Sequence, residues 1–148
     1  MRVMLDTNVL ISYAIFGPGT IGRVVEDAAA NHTPPLSTYV IDEFREVVAS
    51  RWPERSSAVE RFLARAPFET VVTPKVMEGG LFEIRDKLDY PVLYSAIIGF
   101  ADVLATGDKD FAGVDTDTPA IVTPALYFGK VCRVNALRSP AEGPVPTA

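Results

Sequence analysis

Short apolar runs along this chain alternate with stretches in which apolar residues recur every three or four positions. The first run, Val3-Met4-Leu5, has no polar residue inside it and reads as a strand buried on both faces, as in a parallel sheet. Asn8–Phe16 is apolar nearly all round, which predicts a buried helix ended by Gly17-Pro18-Gly19. Thr20 reads as the N-cap of a helix carrying Ile21, Val24, Val25 and Ala28, and Asn31 to Pro35 as a loop. From about Thr38 to Trp52, Val40, Phe44, Val47 and Val48 repeat the helical spacing, with Pro53 as the stop. A further helix is expected from about Glu54 to Ala66, with Val59, Phe62, Leu63 and Ala66 inward.

Phe68–Thr73 is rich in β-formers and closes at Pro74, whereas Lys75 to Lys87 fits neither pattern. Pro91 suits the first turn of a helix ending near Gly99. Asp102–Ala105 and Ala120–Val122 read as strands, and Thr123-Pro124 opens a last short helix. Ser139–Ala148, rich in Pro and poor in large apolar residues, is expected to be a disordered tail behind a domain of residues 1–138. Strand–helix alternation predicts an α/β fold, a three-layer α/β/α sandwich with a mainly parallel sheet. Ligands of such sheets collect beyond the carboxyl ends of the strands. Asp6 follows the first strand directly and therefore lies at that edge.

Composition narrows the chemistry. A chain of 148 residues with 48% hydrophobic residues is one domain with an ample core. No run approaches a membrane span and no signal-peptide pattern opens the chain, so a cytoplasmic location is the expectation. One Cys (Cys132) and one His (His32) exclude an internal disulfide and a Cys/His zinc site. Any metal would then be held by oxygen, which points to Mg²⁺ or Mn²⁺. The net charge of −5 speaks mildly against nucleic acid, although acids gathered in one pocket leave Arg elsewhere free to meet it.

Acids recur at the predicted edge. Asp108 follows the strand Asp102–Ala105 with Asp110 close behind, and Asp86 and Asp89 precede the Pro91 helix. Glu43 falls on the flank of the Val40/Phe44/Val47 stripe, whereas Asp42 and Glu46 turn toward solvent. Asp6, Glu43, Asp89 and Asp108 can thus converge from four elements, as a site with two divalent ions ~3.5–4 Å apart requires for phosphodiester hydrolysis. Singly, each has a plainer reading: Asp6 and Asp108 as helix caps, Glu43 as a solvated rim residue, Asp86 as a surface charge and Asp89 as a helix-entry acid. Their joint placement is the signal.

Two other patterns are weaker. "GPGTIG" matches the dinucleotide fingerprint, but it follows no strand, and the acids beyond it, Asp42 and Glu43, lie inside an amphipathic helix. A haloacid-dehalogenase-type phosphatase also starts with a strand-end Asp and ends in a pattern like "GDKD". It would want a second Asp two residues after the first for acid/base work, where this chain has Asn8.

In order, "VMLDTNVLISY", "IDEFREVV", "DKLDYPVLYSAI", "VLATGDKDF" and "IVTPALYF" resemble the PIN-domain nucleases, close to the VapC-like toxin branch of bacterial toxin–antitoxin systems, from Arg2 to Phe128. The resemblance implies a Rossmann-like sandwich and Mg²⁺- or Mn²⁺-dependent endoribonuclease activity on single-stranded RNA. It also implies a small antitoxin protein and a second copy of the chain as candidate partners. The family's acids carry over to Asp6, Glu43, Asp108 and an acid before the Pro91 helix. Many relatives have that third acid where this chain has Tyr90; its neighbour Asp89 is the choice, with Asp86 the alternative. Thr7, Asn8, Thr106 and Asp110 match supporting positions. Arg51, Arg55, Arg61 and Arg65 are candidates for RNA backbone contacts, or an ordinary solvated face. A PIN fold kept only as a non-catalytic interaction module is the rival from another class, and four retained acids argue against it.

Overall fold

A computed structural model describes residues 1–17 and 19–131. Its centre is β1 (Val3–Leu5), buried on both faces as its unbroken apolar run requires. β4 (Val103–Ala105) pairs parallel with it, Leu5 opposite Ala105, and β5 (Ala120–Val122) pairs parallel with β4, Ala105 opposite Val122. On the other side β2 (Pro35–Ser37) pairs parallel with β3 (Glu69–Val71). A single parallel bridge, Arg2 to Thr33, joins these two pieces, so the strands run in the order β3-β2-β1-β4-β5. Every pairing among the described residues is parallel, and the fold is the expected α/β/α sandwich.

Helices cover the sheet: α1 (Thr7–Phe16), α2 (Thr20–Asn31), α3 (Thr38–Arg51), α4 (Ser56–Arg65) and α5 (Tyr90–Ile98), with further helix over 127–131 at the end of the described residues. Their stripes meet one core, in which Leu10, Leu36, Phe44, Leu93, Leu104 and Tyr127 are fully enclosed. Phe62 of α4 joins Tyr13 and Phe68 at ring distances of 5.3 and 5.5 Å, closing the end of the core beside β3. At the amino edge of the sheet the Arg2 guanidinium grips Glu69 in a bidentate pair, 2.8 and 3.0 Å, and donates to the Gly99 carbonyl. The Arg2 N–H donates to Asp102, 2.8 Å away, which leaves the strand to begin at Val103.

Several expectations are corrected. β2 occupies what reads as the end of a loop; at three residues with Pro first, it is too short to show a period, and Pro is tolerated there because a strand's first residue need not donate. α1 is not buried all round: Thr7, Val9 and Leu10 are covered, whereas Phe16 is 76% exposed. Thr20 is the first helical residue of α2, and Gly19 holds the cap position without a side-chain bond. The fourth helix starts at Ser56, after a 3-10 turn at Pro53–Arg55. β3 is shorter than the stretch Phe68–Thr73 that predicts it, and a 3-10 turn forms at Lys87–Asp89; the helix expected after Thr123 is present, entered through a 3-10 turn at Pro124–Leu126 and helical over 127–131. Of the "GPGTIG" glycines, Gly22 serves packing: a Cβ on it would come 2.7 Å from the Gly17 carbonyl, so Gly22 lets α1 and α2 approach closely. Cys132, the domain end at 138 and the tail 139–148 lie outside the described residues.

Candidate active site at the carboxyl edge of the sheet

The parallel register brings the ends of β1 and β4 side by side, with Asp6 directly after β1 and Asp108 three residues past the end of β4. The Asp6 N–H still donates to the Ala105 carbonyl at 3.0 Å, so Asp6 is fixed to β4 before α1 begins. Its Oδ1 accepts from the Thr7 N–H at 2.7 Å as the N-cap of α1, and its Oδ2 accepts from the Thr106 hydroxyl at 2.7 Å. Thr106 is bonded in turn by the Asp108 N–H at 3.0 Å, and Asp108 Oδ1 accepts from the Asp110 N–H at 2.9 Å. The Gly107 N–H donates to Asn8 at 3.3 Å, tying α1 to this loop. Asp6 and Asp108 are therefore caps and neighbours at once; the two roles do not exclude each other.

Asp6 is only 4% exposed. Burial pushes its carboxyl up to about 6, against the hydrogen bonds from Thr106 and Thr7, with repulsion from Glu43 and Asp108 adding to the rise. Asp89, half-buried before α5, is pushed up to about 7, by burial first and then by Asp108 and Asp6, a shared hydrogen bond with Asp108, and Asp86. That shared bond needs a proton on one of the two carboxyls, and with both ionised Asp89 Oδ2 is enclosed without a partner. Tyr39 faces the same charges: burial, then Glu43, Asp89, Asp86 and Asp6, raise its hydroxyl pKa. Asp6, Glu43, Asp89 and Asp108 thus form one electrostatic cluster.

A second grouping overlaps it. Carboxylate oxygens of Asp86, Asp89 and Asp110 lie within 4.8 Å of one another. Asp86 caps the turn before α5 by accepting from the Leu88 N–H at 2.9 Å, and Arg85 stands 3.7 Å from Asp110. The Thr7 hydroxyl, almost wholly buried, has no hydrogen-bond partner. An oxygen-only donor set with an orphaned buried oxygen fits a hard divalent cation and offers nothing for a thiophilic metal. Arg51, Arg55, Arg61 and Arg65 are all exposed, at the end of α3, in the turn after it and along α4, and among the described residues none pairs with these acids.

Two residues beside the acids went unnoticed in the sequence. Tyr39 stands four positions before Glu43, hence on the same face of α3, and its hydroxyl donates to the Leu88 carbonyl at 2.9 Å. That spacing was the available signal. Arg85 sits in the irregular Lys75–Lys87 stretch, where no period marks a facing side chain.

A PIN domain family model matches residues 2–110, from the start of β1 through every acid of the cluster to Asp110. The chain belongs to the PIN domain family. The PIN fold is seen also in the crystal structure of VapBC2 from Rickettsia felis bound to a DNA fragment from their promoter. That structure is 17% identical, with a TM-score of 0.61 over 83% of this chain and 98% of that one. No curated protein matches the sequence. Within this PIN domain Asn8 is occupied in holding Gly107, so the position that a haloacid-dehalogenase phosphatase would give to its acid/base Asp is a structural amide here. No helix among the described residues is long and apolar enough to cross a membrane.

Proposed function

We propose that this PIN domain is a metal-dependent endoribonuclease acting on single-stranded RNA, and the toxin of a toxin–antitoxin pair. The observation that carries the reading is the acidic sheet edge, where Asp6, Glu43, Asp89 and Asp108 act on one another electrostatically and the carboxylate oxygens of Asp86, Asp89 and Asp110 lie within 4.8 Å of one another. Carboxylates held together at such a cost fit a site that a cation completes.

Held by Asp6, Glu43, Asp89 and Asp108, Mg²⁺ or Mn²⁺ would supply Lewis-acid polarisation of a phosphate oxygen and lower the pKa of an attacking water. The chain's own work is positioning. Thr106 and the Thr7 N–H fix both oxygens of Asp6, so its lone pairs keep one direction. Asn8 and Thr106 hold the loop that carries Asp108. Asp86 and Asp110 add charge beside Asp89, and Arg85 offsets Asp110. Arg51, Arg55, Arg61 and Arg65 are offered as backbone contacts, since exposed guanidiniums without acidic partners can take phosphates.

The toxin assignment draws on the sequence motifs and on the likeness to a structure that contains a VapBC2 pair. It calls for a small antitoxin protein as partner, with a second copy of this chain as a further candidate, and a cytoplasmic site of action. The test is cleavage of single-stranded RNA by the purified chain with Mg²⁺ or Mn²⁺, with EDTA, and as Asp6→Asn. Internal cleavage that needs the metal and vanishes in the variant supports the reading. Cleavage in excess EDTA overturns the metal mechanism, hydrolysis of phosphomonoesters with RNA intact returns the phosphatase, and no hydrolysis of either makes the chain a non-catalytic module. Growth arrest on expression, relieved by a small protein encoded beside it, would test the toxin role.

A further inference from the structure

A groove of about 470 Å³ opens beside the acid cluster, between the loop that follows β4 and the end of β5. Thr106, Gly107 and Asp108 form its near wall, so it shares residues with the cluster itself. We propose that this groove is a nucleotide subsite, seating the nucleotide next to the scissile phosphate and setting the base preference at the cut. The placement beside a scissile phosphate rests on the nuclease reading above; the affinity for a nucleotide does not.

Size and lining both suit such a ligand. The volume lies within the ~300–1,000 Å³ range of small-ligand sites and is enough for one nucleotide. Half-buried Val114 and Ile121 offer an apolar flank for the face of a base. Thr116 and Thr123 offer hydroxyls for its edge; Thr116 spends its proton on the Thr118 carbonyl at 3.0 Å and keeps its lone pairs for a base amino group. Lys109 and Lys130 line the same groove, exposed and outside any ion pair among the described residues, in a chain whose net charge is −5. Cations left free in an acidic protein, on the rim of a polar groove, suit phosphate oxygens. Asp108 and Asp117 are the acids of the lining.

A second groove, of about 320 Å³, lies across the ridge Ala112-Gly113-Val114, but its charges are Glu83, Asp110 and an Arg85 already beside Asp110. It has no free cation, so the phosphate-bearing ligand is assigned to the first.

The test is titration of the full chain, in EDTA, with each of the four ribonucleoside 5′-monophosphates, followed by amide chemical shifts. Shifts are expected along Lys109–Asp117 and Ala120–Thr123. Binding should weaken about tenfold in Lys109→Ala or Lys130→Ala, the loss expected for one charge-assisted contact. It should vanish in Ala112→Trp, which fills the groove from the exposed ridge, and persist in Lys75→Ala, a control for charge alone. Shifts that map elsewhere, or affinities equal in all variants, overturn the subsite. With metal, sequencing of cut ends from a random RNA pool should show a base preference that Ala112→Trp removes. Cutting with an unaltered preference overturns the subsite and leaves the nuclease standing. Nucleotides bound in the groove by a chain that cuts no RNA support the site and overturn the nuclease.

Discussion

Thr106 and Asp6, 100 residues apart in the chain, share a 2.7 Å hydrogen bond buried beneath the acid cluster. The threonine hydroxyl faces two ways, donating to Asp6 and accepting from the Asp108 N–H. Thr106→Val keeps the shape and strands both partners. It should cost about 1–3 kcal/mol, the desolvation penalty of buried groups left unpaired, and reduce cleavage by weakening Asp6's orientation. Thr106→Ser should restore most of both. Urea melts and cleavage rates for the three proteins check this; a Val variant as active as the parent would show that Asp6 needs no such support.

Metal should reverse the repulsion among the acids. A divalent ion that binds only the folded chain at about 100 times its Kd contributes about 2.7 kcal/mol, roughly 5–10 °C in Tm for a domain of this size. Asp6→Asn and Asp108→Asn each remove one charge, and Asn retains an oxygen for the cap. Without metal Asp108→Asn should melt at or above the parent, whereas Asp6→Asn also turns an amide N–H toward one of its two donors and offsets that gain; with Mn²⁺ each should gain far less. Melts in EDTA and in Mn²⁺ read both signs, and an undiminished metal gain would remove these two residues from the ligand set.

Acidity should act on the metal-free fold in the unusual direction. Burial and neighbouring carboxylates raise Asp6 to about 6 and Asp89 to about 7, from 3.8 in the unfolded chain. Between those values the folded state binds more protons, so this contribution is complete below about pH 4 and lost as pH climbs through 6 to 7. In EDTA, Asp89→Asn should therefore gain on the parent as pH rises from about 5 to 8. A gap between the two melting curves that stays constant with pH would contradict it.

Asp86 and Asp89 are separable. Asp86 accepts from the Leu88 N–H, so Asp86→Ala should cost the fold about 1 kcal/mol, as loss of a cap does, and leave substantial cleavage. Asp89 belongs to both acid groupings, and Asp89→Ala should abolish cleavage without lowering metal-free stability. Cleavage by Asp89→Ala at the parent's rate would transfer the ligand role to Asp86.

Much of this architecture is legible in the chain because a few long patterns are unambiguous. The unbroken Val3-Met4-Leu5 run, the α3 stripe and Pro91 at the head of α5 each point to one element, and Asp6 and Asp108 follow from the strand ends. What escapes is short or set by partners. β2 is three residues long and exists because β3 pairs with it; Phe16 is apolar yet exposed, since periodicity reports polarity and not cover. The Lys75–Lys87 stretch has no period at all, so neither Arg85 nor the approach of Asp86 to Asp110 can be read there. That Thr106 lies under Asp6 depends on register, which spacing along a chain does not contain.

The pairing of β1 with β4 also sets a clock. Asp6 leaves the ribosome about a hundred residues ahead of its partners Thr106 and Asp108, which follow roughly 5–20 s later at ordinary translation speeds. Helices α1 to α4 can form meanwhile, but the central strand has no β4 beside it. A nascent chain therefore carries no assembled acid cluster until its last strands arrive. For a protein that would cut RNA, the topology itself keeps the unfinished molecule harmless to the message being read.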